Sequence, residues 1–529
     1  MKKRSNDYVS VKNNDRNFTT RMKKHITSFS WISIVVLVVS LLAVLWPLFK
    51  PGFFITDDGE WMIIRLSAFY QSLADGQFPV RYLGRLNNSY GYPVSNFLYP
   101  GFLYIGSVFR FMGASFPDAV KLIFGISVIG AAFAIFASLR VRYKSIPSML
   151  GACSFIFAPY LLFDIYHRGS VGEVLALFAA SLAILGISRG WNMLLAFAVG
   201  LLIVSHNTVA LITGMAIGLF IFVNPKRISM FISAAFGVGM ATFFWLPALL
   251  EKRFVRFDLV AVSNPYEYFI THQNAGLLGI VTVLSISIAL GLRGTHKVYE
   301  KLVIGISIFG IMMSLPISFP IWSIGAFSVL VQFPYRFLVL PVLFSPWAVA
   351  YITESISGWK RMALVTMFIC IWSFGVISQI RVIRHVDRVE GYYTTNEATT
   401  NVADEYMPRW VTDVPLRRAV GTLEIIDGDA KLTSTLFSGE QFSVTVDAKE
   451  HSTLQINKIY YPGWGVTIDN RLVPINYHNR LGVIQVEVPN GIHVVKAEFR
   501  ETPFRFFADL VSLISGIVFL IFARRLQRN

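Results

Sequence analysis

Acidic side chains are scarce in this sequence, 31 Asp and Glu in 529 residues, so their clusters stand out as candidates for chemistry. The first is Thr56-Asp57-Asp58-Gly59-Glu60-Trp61, just beyond the first long apolar stretch. Adjacent carboxylates repel, and an apolar neighbourhood raises the pKa of at least one of them. Such a pair suits a general base or a divalent cation, Mg or Mn. A structural reading competes: Asp57 or Asp58 caps a helix continuing through Glu60 to Leu66. The second cluster runs Asp164-Ile165-Tyr166-His167-Arg168-Gly169-Ser170-Val171-Gly172-Glu173 between two apolar stretches. Ionisable groups drawn into a membrane are usually functional. Here the alternative is an internal ion pair between Arg168 and Glu173. Together Glu60, Asp164 and Glu173 form an accessory acidic set that could also serve a metal.

Two further motifs carry polar groups into apolar text. His206, flanked by Ser205, Asn207 and Thr208, breaks a long apolar run and is either a satisfied structural group or a site residue. In Gln332-Phe333-Pro334-Tyr335-Arg336-Phe337, Arg336 could grip a phosphate bidentately, which lysine does poorly, or anchor the chain by snorkelling. The loop tyrosines Tyr90 and Tyr92, with Asn96, could stack on and hydrogen-bond to a sugar, or belong to an interfacial aromatic belt. Lys252, Arg253 and Arg256 add positive charge that could hold an anionic head group. Tyr461-Pro462-Gly463-Trp464 is either a carbohydrate contact or the core of a hairpin.

The elements that position these residues are membrane helices. Hydrophobic residues make up 54% of the chain and charged ones 15%, with a mean hydropathy of +0.56. Soluble domains carry about 25% charged residues, so an ordinary soluble enzyme is excluded. The aromatic content excludes disorder. The net charge of +16 is read as the inner-leaflet bias of a polytopic membrane protein, with the lipid bilayer and not nucleic acid as its partner. Cys153 and Cys370 lie in apolar runs and read as small buried hydrophobes.

A basic tail over 1–28 precedes an apolar run from Trp31 to Phe49 without a small-residue cleavage site, which predicts an uncleaved first helix. The run from Phe97 to Met112 is short and broken, and placing it in the interface keeps nearly all short basic loops inside. The run Trp191 to Val223 predicts two short helices meeting at the His206 corner. About twelve crossings result, with both termini cytoplasmic. A transmembrane module over 29–380 carries an external loop at 50–116. A small extracytoplasmic β-rich domain at 381–503 precedes the last helix and a basic end at 504–529. Alternation in Phe442–Val446 and Ile484–Val488 predicts strands, and Asp469-Asn470 and Asn490-Gly491 predict hairpin turns.

Phosphate-binding Gly-Lys-Ser/Thr loops, a Rossmann glycine set, His-Glu-x-x-His and paired cysteines are all missing, so any substrate should be carried in or on the membrane. An acidic motif after the first of many helices, juxtamembrane helices and an external soluble domain resemble the C-type (GT-C) glycosyltransferase superfamily. The ordered series Asp57-Asp58, Gly76–Pro79, Tyr90–Pro93, Arg168–Glu173, Ser205–Asn207 and Gln332–Arg336 resembles bacterial membrane proteins labelled "6-pyruvoyl-tetrahydropterin synthase-related", a label to which no pterin chemistry is attached here. Tyr460–Trp464, Asp469-Asn470 and Pro489–His493 are similar to the C-terminal part of YfhO-type proteins. The resemblance implies a multi-pass enzyme of the bacterial plasma membrane. It would move a sugar from a polyprenyl-phosphate donor to a cell-envelope glycan or glycopolymer on the outer face, inverting or retaining, with or without a divalent ion. Asp57 or Asp58 would activate the acceptor, and Arg336, with Arg168 and His206 behind it, would stabilise the departing phosphate. A lipid or solute transporter or flippase, and a non-catalytic envelope scaffold, are the competing readings.

Overall fold

The computed structural model describes residues 30–526 except 261–263, 293–296, 381–382, 399–403 and 439. The N-terminal basic tail, the segment around Arg293, the boundary at Arg381 and the terminal Arg528 lie outside the described residues. Among the described residues seven helices are long and apolar enough to cross a membrane, and up to nine spans result if two bent pairs each count as one. Four shorter apolar helices accompany them, so the number twelve stays an expectation. One of the four, Gly101–Phe111, has 11 residues. At 1.5 Å per residue it is about 16 Å long, half of the ~30 Å hydrocarbon core, in keeping with an interfacial position. The helices Asn192–Ser205 and Asn207–Phe222 meet at His206, whose extended backbone (φ −166°) breaks the run at the polar corner. Cys153 is buried, whereas Cys370 is exposed on the helix Gly358–Ile380, because an apolar side chain on a membrane helix can as well face lipid.

After the helix Gly358–Ile380 the chain turns to strands. β1 (Phe53–Phe54) pairs with β2 (His385–Val386), tying the first loop to the start of this region. The remaining strands are β3 (Leu423–Asp427), β4 (Ala430–Ser438), β5 (Gln441–Ala448), β6 (Ser452–Ile459), β7 (Trp464–Ile468), β8 (Arg471–Val473), β9 (Val483–Val488) and β10 (Gly491–Phe499). They form a five-stranded sheet, β4-β5-β10-β7-β8, and a three-stranded sheet, β3-β6-β9. Period-two alternation buries Val444, Val446, Ile484 and Val486 in the common core with Tyr461 and Trp464, which are core aromatics. Asp469 and Asn470 both take positive φ (50° and 65°) and close the β7–β8 hairpin as expected. Asn490-Gly491 does not close one: β9 pairs with β6 and β10 with β5 and β7, so the turn carries the chain from one sheet to the other.

This β-rich region is packed hard against the first loop. Tyr82 stacks on Phe499 at 5.1 Å between ring centroids and meets Trp464 edge-on at 5.7 Å. The Lys458 ammonium donates to the carbonyls of Gly84 (2.9 Å) and Ser89 (2.6 Å). Arg81 reaches Glu501 and Asp509, each at 2.8 Å, and so ties the loop to the final helix Pro503–Leu526. Arg505 of that helix grips Glu251 bidentately (2.9 and 2.8 Å), and Asn96 and the Tyr461 hydroxyl donate to the same carboxylate. Arg505→Met should leave a buried carboxylate unpaired and cost about 3–5 kcal/mol. Thermal unfolding of detergent-purified protein should show the loss, and adding Glu251→Gln should recover part of it.

Candidate functional site

Three candidate groups meet at the ends of apolar spans. The span Ser145–Arg168 ends in a π-helical turn, Asp164–Arg168, a local geometry frequent at functional sites. Gly169 follows in the left-handed conformation (φ 69°), and the next helix, Val171–Arg189, begins with Glu173 in its first turn. The turn therefore folds Arg168 back between two carboxylates: one of its terminal nitrogens lies 2.8 Å from Asp164 and 2.8 Å from Glu173. Arg336 enters from the span Pro334–Ser355, its Nε 2.8 Å from the same Glu173 oxygen. Its Nη1 donates to the Val331 carbonyl (2.9 Å) and to Gln332, whose backbone is held at φ 66°. These bonds use Nε and Nη1 of Arg336 and leave Nη2 to other partners.

Asp164 and Glu173 have no exposed surface, and Arg168, His206 and Arg336 are buried around them. His206 Nδ1 accepts the Val209 N–H (3.3 Å), which puts the ring proton on Nε2, 3.5 Å from Glu173. The second Glu173 oxygen accepts the Tyr160 hydroxyl at 3.1 Å. Phe333 and Tyr335 stack on each other and flank both guanidinium groups: Arg336 lies 4.8 Å from the Phe333 ring centroid and Arg168 5.4 Å from that of Tyr335. The ion pair between Arg168 and Glu173 is thus real, and Arg336 is an interior group, not a snorkelling anchor.

The Thr56-Asp57-Asp58 turn docks on this cluster through main chain. The Asp57 N–H donates to the His167 carbonyl (3.0 Å) and the Asp58 N–H to that of Arg168 (2.8 Å). Asp58 occupies the N-cap position of the helix Gly59–Ala74 but makes no capping bond, because the Thr56 hydroxyl oxygen accepts the Gly59 N–H at 2.9 Å instead. The Asp58 carboxylate is half-buried and has no hydrogen-bond or ion-pair partner among the described residues. Desolvation, then the charge of Asp58, raise the Asp57 pKa, against the pull of Arg168 and His167.

Tyr99 joins the two halves. Its ring packs on His206 at 4.6 Å and covers Gly172, where a Cβ would collide with it. Burial raises the pKa of its hydroxyl, and the charges of Asp58 and Glu173 raise it further. Neither Tyr99 nor Tyr160 was singled out in the sequence, since each is a hydroxyl within apolar text. The buried pair Arg65–Glu405 (3.7 Å) was also missed: Arg65 lies seven residues beyond Asp58, on the same face of the helix.

Other expected residues fall elsewhere. Glu60 pairs with Arg388 at 2.5 Å. Tyr90, Tyr92 and Asn96 are buried in the seam with the β-rich region: the Tyr92 hydroxyl oxygen accepts the Tyr406 N–H, and Asn96 donates to Glu251. They do not present a sugar-binding face, because closing the loop on the sheets covers their rings. Arg256 donates to the Val411 carbonyl and so joins two chain segments. Among the described residues no group of three or more His, Cys, Asp or Glu is placed to hold a metal ion. Arginines occupy Glu60, Asp164 and Glu173, so an Mg or Mn ion would depend on Asp57 and Asp58 together with a substrate phosphate.

A multi-helix membrane module with buried charge at the span ends and a two-sheet region before its last helix defines the class. No family model matches the sequence, and no curated protein matches it. Among solved structures, it is similar to the arabinofuranosyltransferase AftD from Mycobacteria, with 14% identity and a TM-score of 0.50 over 69% of this chain. It is also similar to the oligosaccharyltransferase of Archaeoglobus fulgidus, with 11% identity and a TM-score of 0.43 over 70% of this chain. The chain spans 28% of the length of AftD and 57% of that of the archaeal protein. The AftD likeness shows a shared fold.

Gly169→Ala tests the docking of the acidic turn. An added Cβ would collide with the Thr56 hydroxyl and lie 2.7 Å from the Gly59 nitrogen, in a backbone conformation that disfavours it. The variant should insert and fold, with thermal stability lowered by about 1–3 kcal/mol and the Asp57-Asp58 turn displaced. Hydrogen exchange at the Asp57 and Asp58 amides would report that displacement.

Proposed function

We propose that this protein is a membrane glycosyltransferase that moves a sugar from a polyprenyl-phosphate-linked donor to a cell-envelope glycan or glycopolymer. On the motifs quoted above it would be a YfhO-type member of the C-type superfamily, working at the outer face of a bacterial plasma membrane. The observation that carries the reading is the Asp58 carboxylate, without a hydrogen-bond or ion-pair partner among the described residues and hung by its own main chain from the Arg168 carbonyl beside a buried arginine pair. The fold shared with AftD supports it.

In this reading Asp58 takes the proton of the acceptor hydroxyl as that oxygen bonds to the anomeric carbon of the donor sugar. The bond from that carbon to the phosphate oxygen breaks, and its electron pair leaves with the lipid phosphate. Arg336, with N–H groups not used by Glu173, stabilises the growing charge, and Arg168 adds to the field. Glu173 is a positioning residue that fixes both guanidinium groups and lowers their net charge. His206, its Nε2 3.5 Å from Glu173 and its Nδ1 accepting the Val209 N–H, closes the cluster on that side. If a divalent ion takes part, Asp57 and Asp58 would hold it against the donor phosphate and it would supply further charge neutralisation.

The test is transfer from polyprenyl-phosphate sugars to envelope glycans by protein in nanodiscs. Asp58→Asn should lower the rate by about 10²–10⁴-fold with membrane insertion unchanged. Full transfer by both Asp57→Asn and Asp58→Asn would sink the assignment. Movement of lipid or solute in proteoliposomes without glycosylation would favour the transporter reading. Asp57 should take up its proton above the ordinary Asp range near 3.9, because burial and then the Asp58 charge raise its pKa, and an NMR titration of its carboxyl carbon would show this.

A further inference from the structure

Away from the Asp58 cluster, the seam between the first loop and the β-rich region opens into two adjoining cavities, of about 360 and 230 Å³. Asp75 and Glu440 line both. The larger is walled by Gln71, Thr394, Thr395 and Arg418 among others, and the smaller by Gln77, Phe78, Gln441 and Arg500. Their floor is already built. Glu440, 8% exposed, accepts the Ser72 hydroxyl (2.9 Å) and the Gly84 N–H (3.1 Å). Lys458, equally buried, is fixed on the Gly84 and Ser89 carbonyls. A preorganised polar floor lowers the entropy cost of binding.

The chemistry of the walls selects among ligands. Carboxylates at Asp75, Glu397, Glu440, Glu498 and Glu501 face cations at Arg85, Arg418, Lys458 and Arg500, so the charges nearly cancel. A polyanion gains no net attraction there. A neutral chain rich in hydroxyls gains both donors and charged acceptors, and hydrogen bonds to charged groups are the stronger kind. Phe78, 74% exposed at the smaller cavity, offers an apolar face to a sugar ring.

We infer that this groove binds an extended neutral polysaccharide and is a distal subsite for the acceptor chain, an inference that rests on the glycosyltransferase reading above. Along the helix Gly59–Ala74 the near wall of the groove, Gln71, lies about 20 Å from Asp58 at 1.5 Å per residue. An acceptor reaching both places is a polymer, not a single sugar.

The test is binding of full-length protein in detergent, without donor, to an array of neutral and acidic oligosaccharides, including the disaccharides cut from them. Long neutral members should bind, and the disaccharides should not. Phe78→Ala, Asp75→Ala and Arg418→Ala combined should weaken that binding about tenfold. Absence of neutral binders, preference for acidic polymers, or indifference to the groove variant would overturn the inference. Transfer without groove-dependent binding would remove the groove alone. Groove-dependent binding without transfer would retain the groove and remove the catalytic reading.

Discussion

Glu173 lies with no exposed surface between two arginines that are distant in sequence, and this buried carboxylate organises the site. A lone charge in a dry interior is costly enough to prevent folding around it. Here two guanidinium groups face two carboxylates, and the imidazole and the Tyr160 hydroxyl complete the shell of Glu173. The members are bound to one another through Glu173 and through Oδ1 of Asp164, while Asp164 Oδ2 stays buried without a hydrogen bond among the described residues. Those bonds bring together the π-helical turn, the start of the helix Val171–Arg189, the break at His206 and the approach to the span Pro334–Ser355.

The acidic turn at Asp57-Asp58 inherits its place from that cluster. Its amides bond to main-chain carbonyls of the turn that carries Arg168, so its position follows backbone and does not depend on its own carboxylates. Thr56 takes over the capping of the next helix. The Asp58 carboxylate is thereby left without a hydrogen-bond or ion-pair partner among the described residues, beside the turn that carries Arg168.

The loop that carries Asp58 is fixed at its other end by different means. Arg81 reaches Glu501 and Asp509, and Arg505 grips Glu251, so the loop, the β-rich region and the last helix form one connected seam. The β-rich region is accordingly more than a domain tethered at its two ends. Its sheets form the far wall of the loop and build the polar groove, and the same closure takes Tyr90, Tyr92 and Asn96 out of solvent.

Much of this was legible in the residues. Scarcity made Asp57, Asp58, Asp164, Arg168, Glu173, His206 and Arg336 conspicuous, because an ionisable group within apolar text needs a reason to be there. Apolar length announced the spans, alternation announced β5 and β9, and Asp469-Asn470 announced its hairpin. Partnership was not legible. Sequence spacing reveals neighbours on one helix, and the Arg168–Glu173 pair was within reach of that rule. The seam bonds of Asn96, Glu251 and Arg505 join segments far apart in the chain. Asn490-Gly491 reads as a hairpin turn locally, yet which sheet each flanking strand joins is a long-range choice. By itself the sequence determined a basic, multi-span membrane protein and the polar residues available to a site. The tertiary structure decided which of them are neutralised in the interior, which are covered by the sheets, and that Asp58 keeps a carboxylate without a partner among the described residues. Burial and pairing depend on contacts between distant segments, and local pattern carries no record of those.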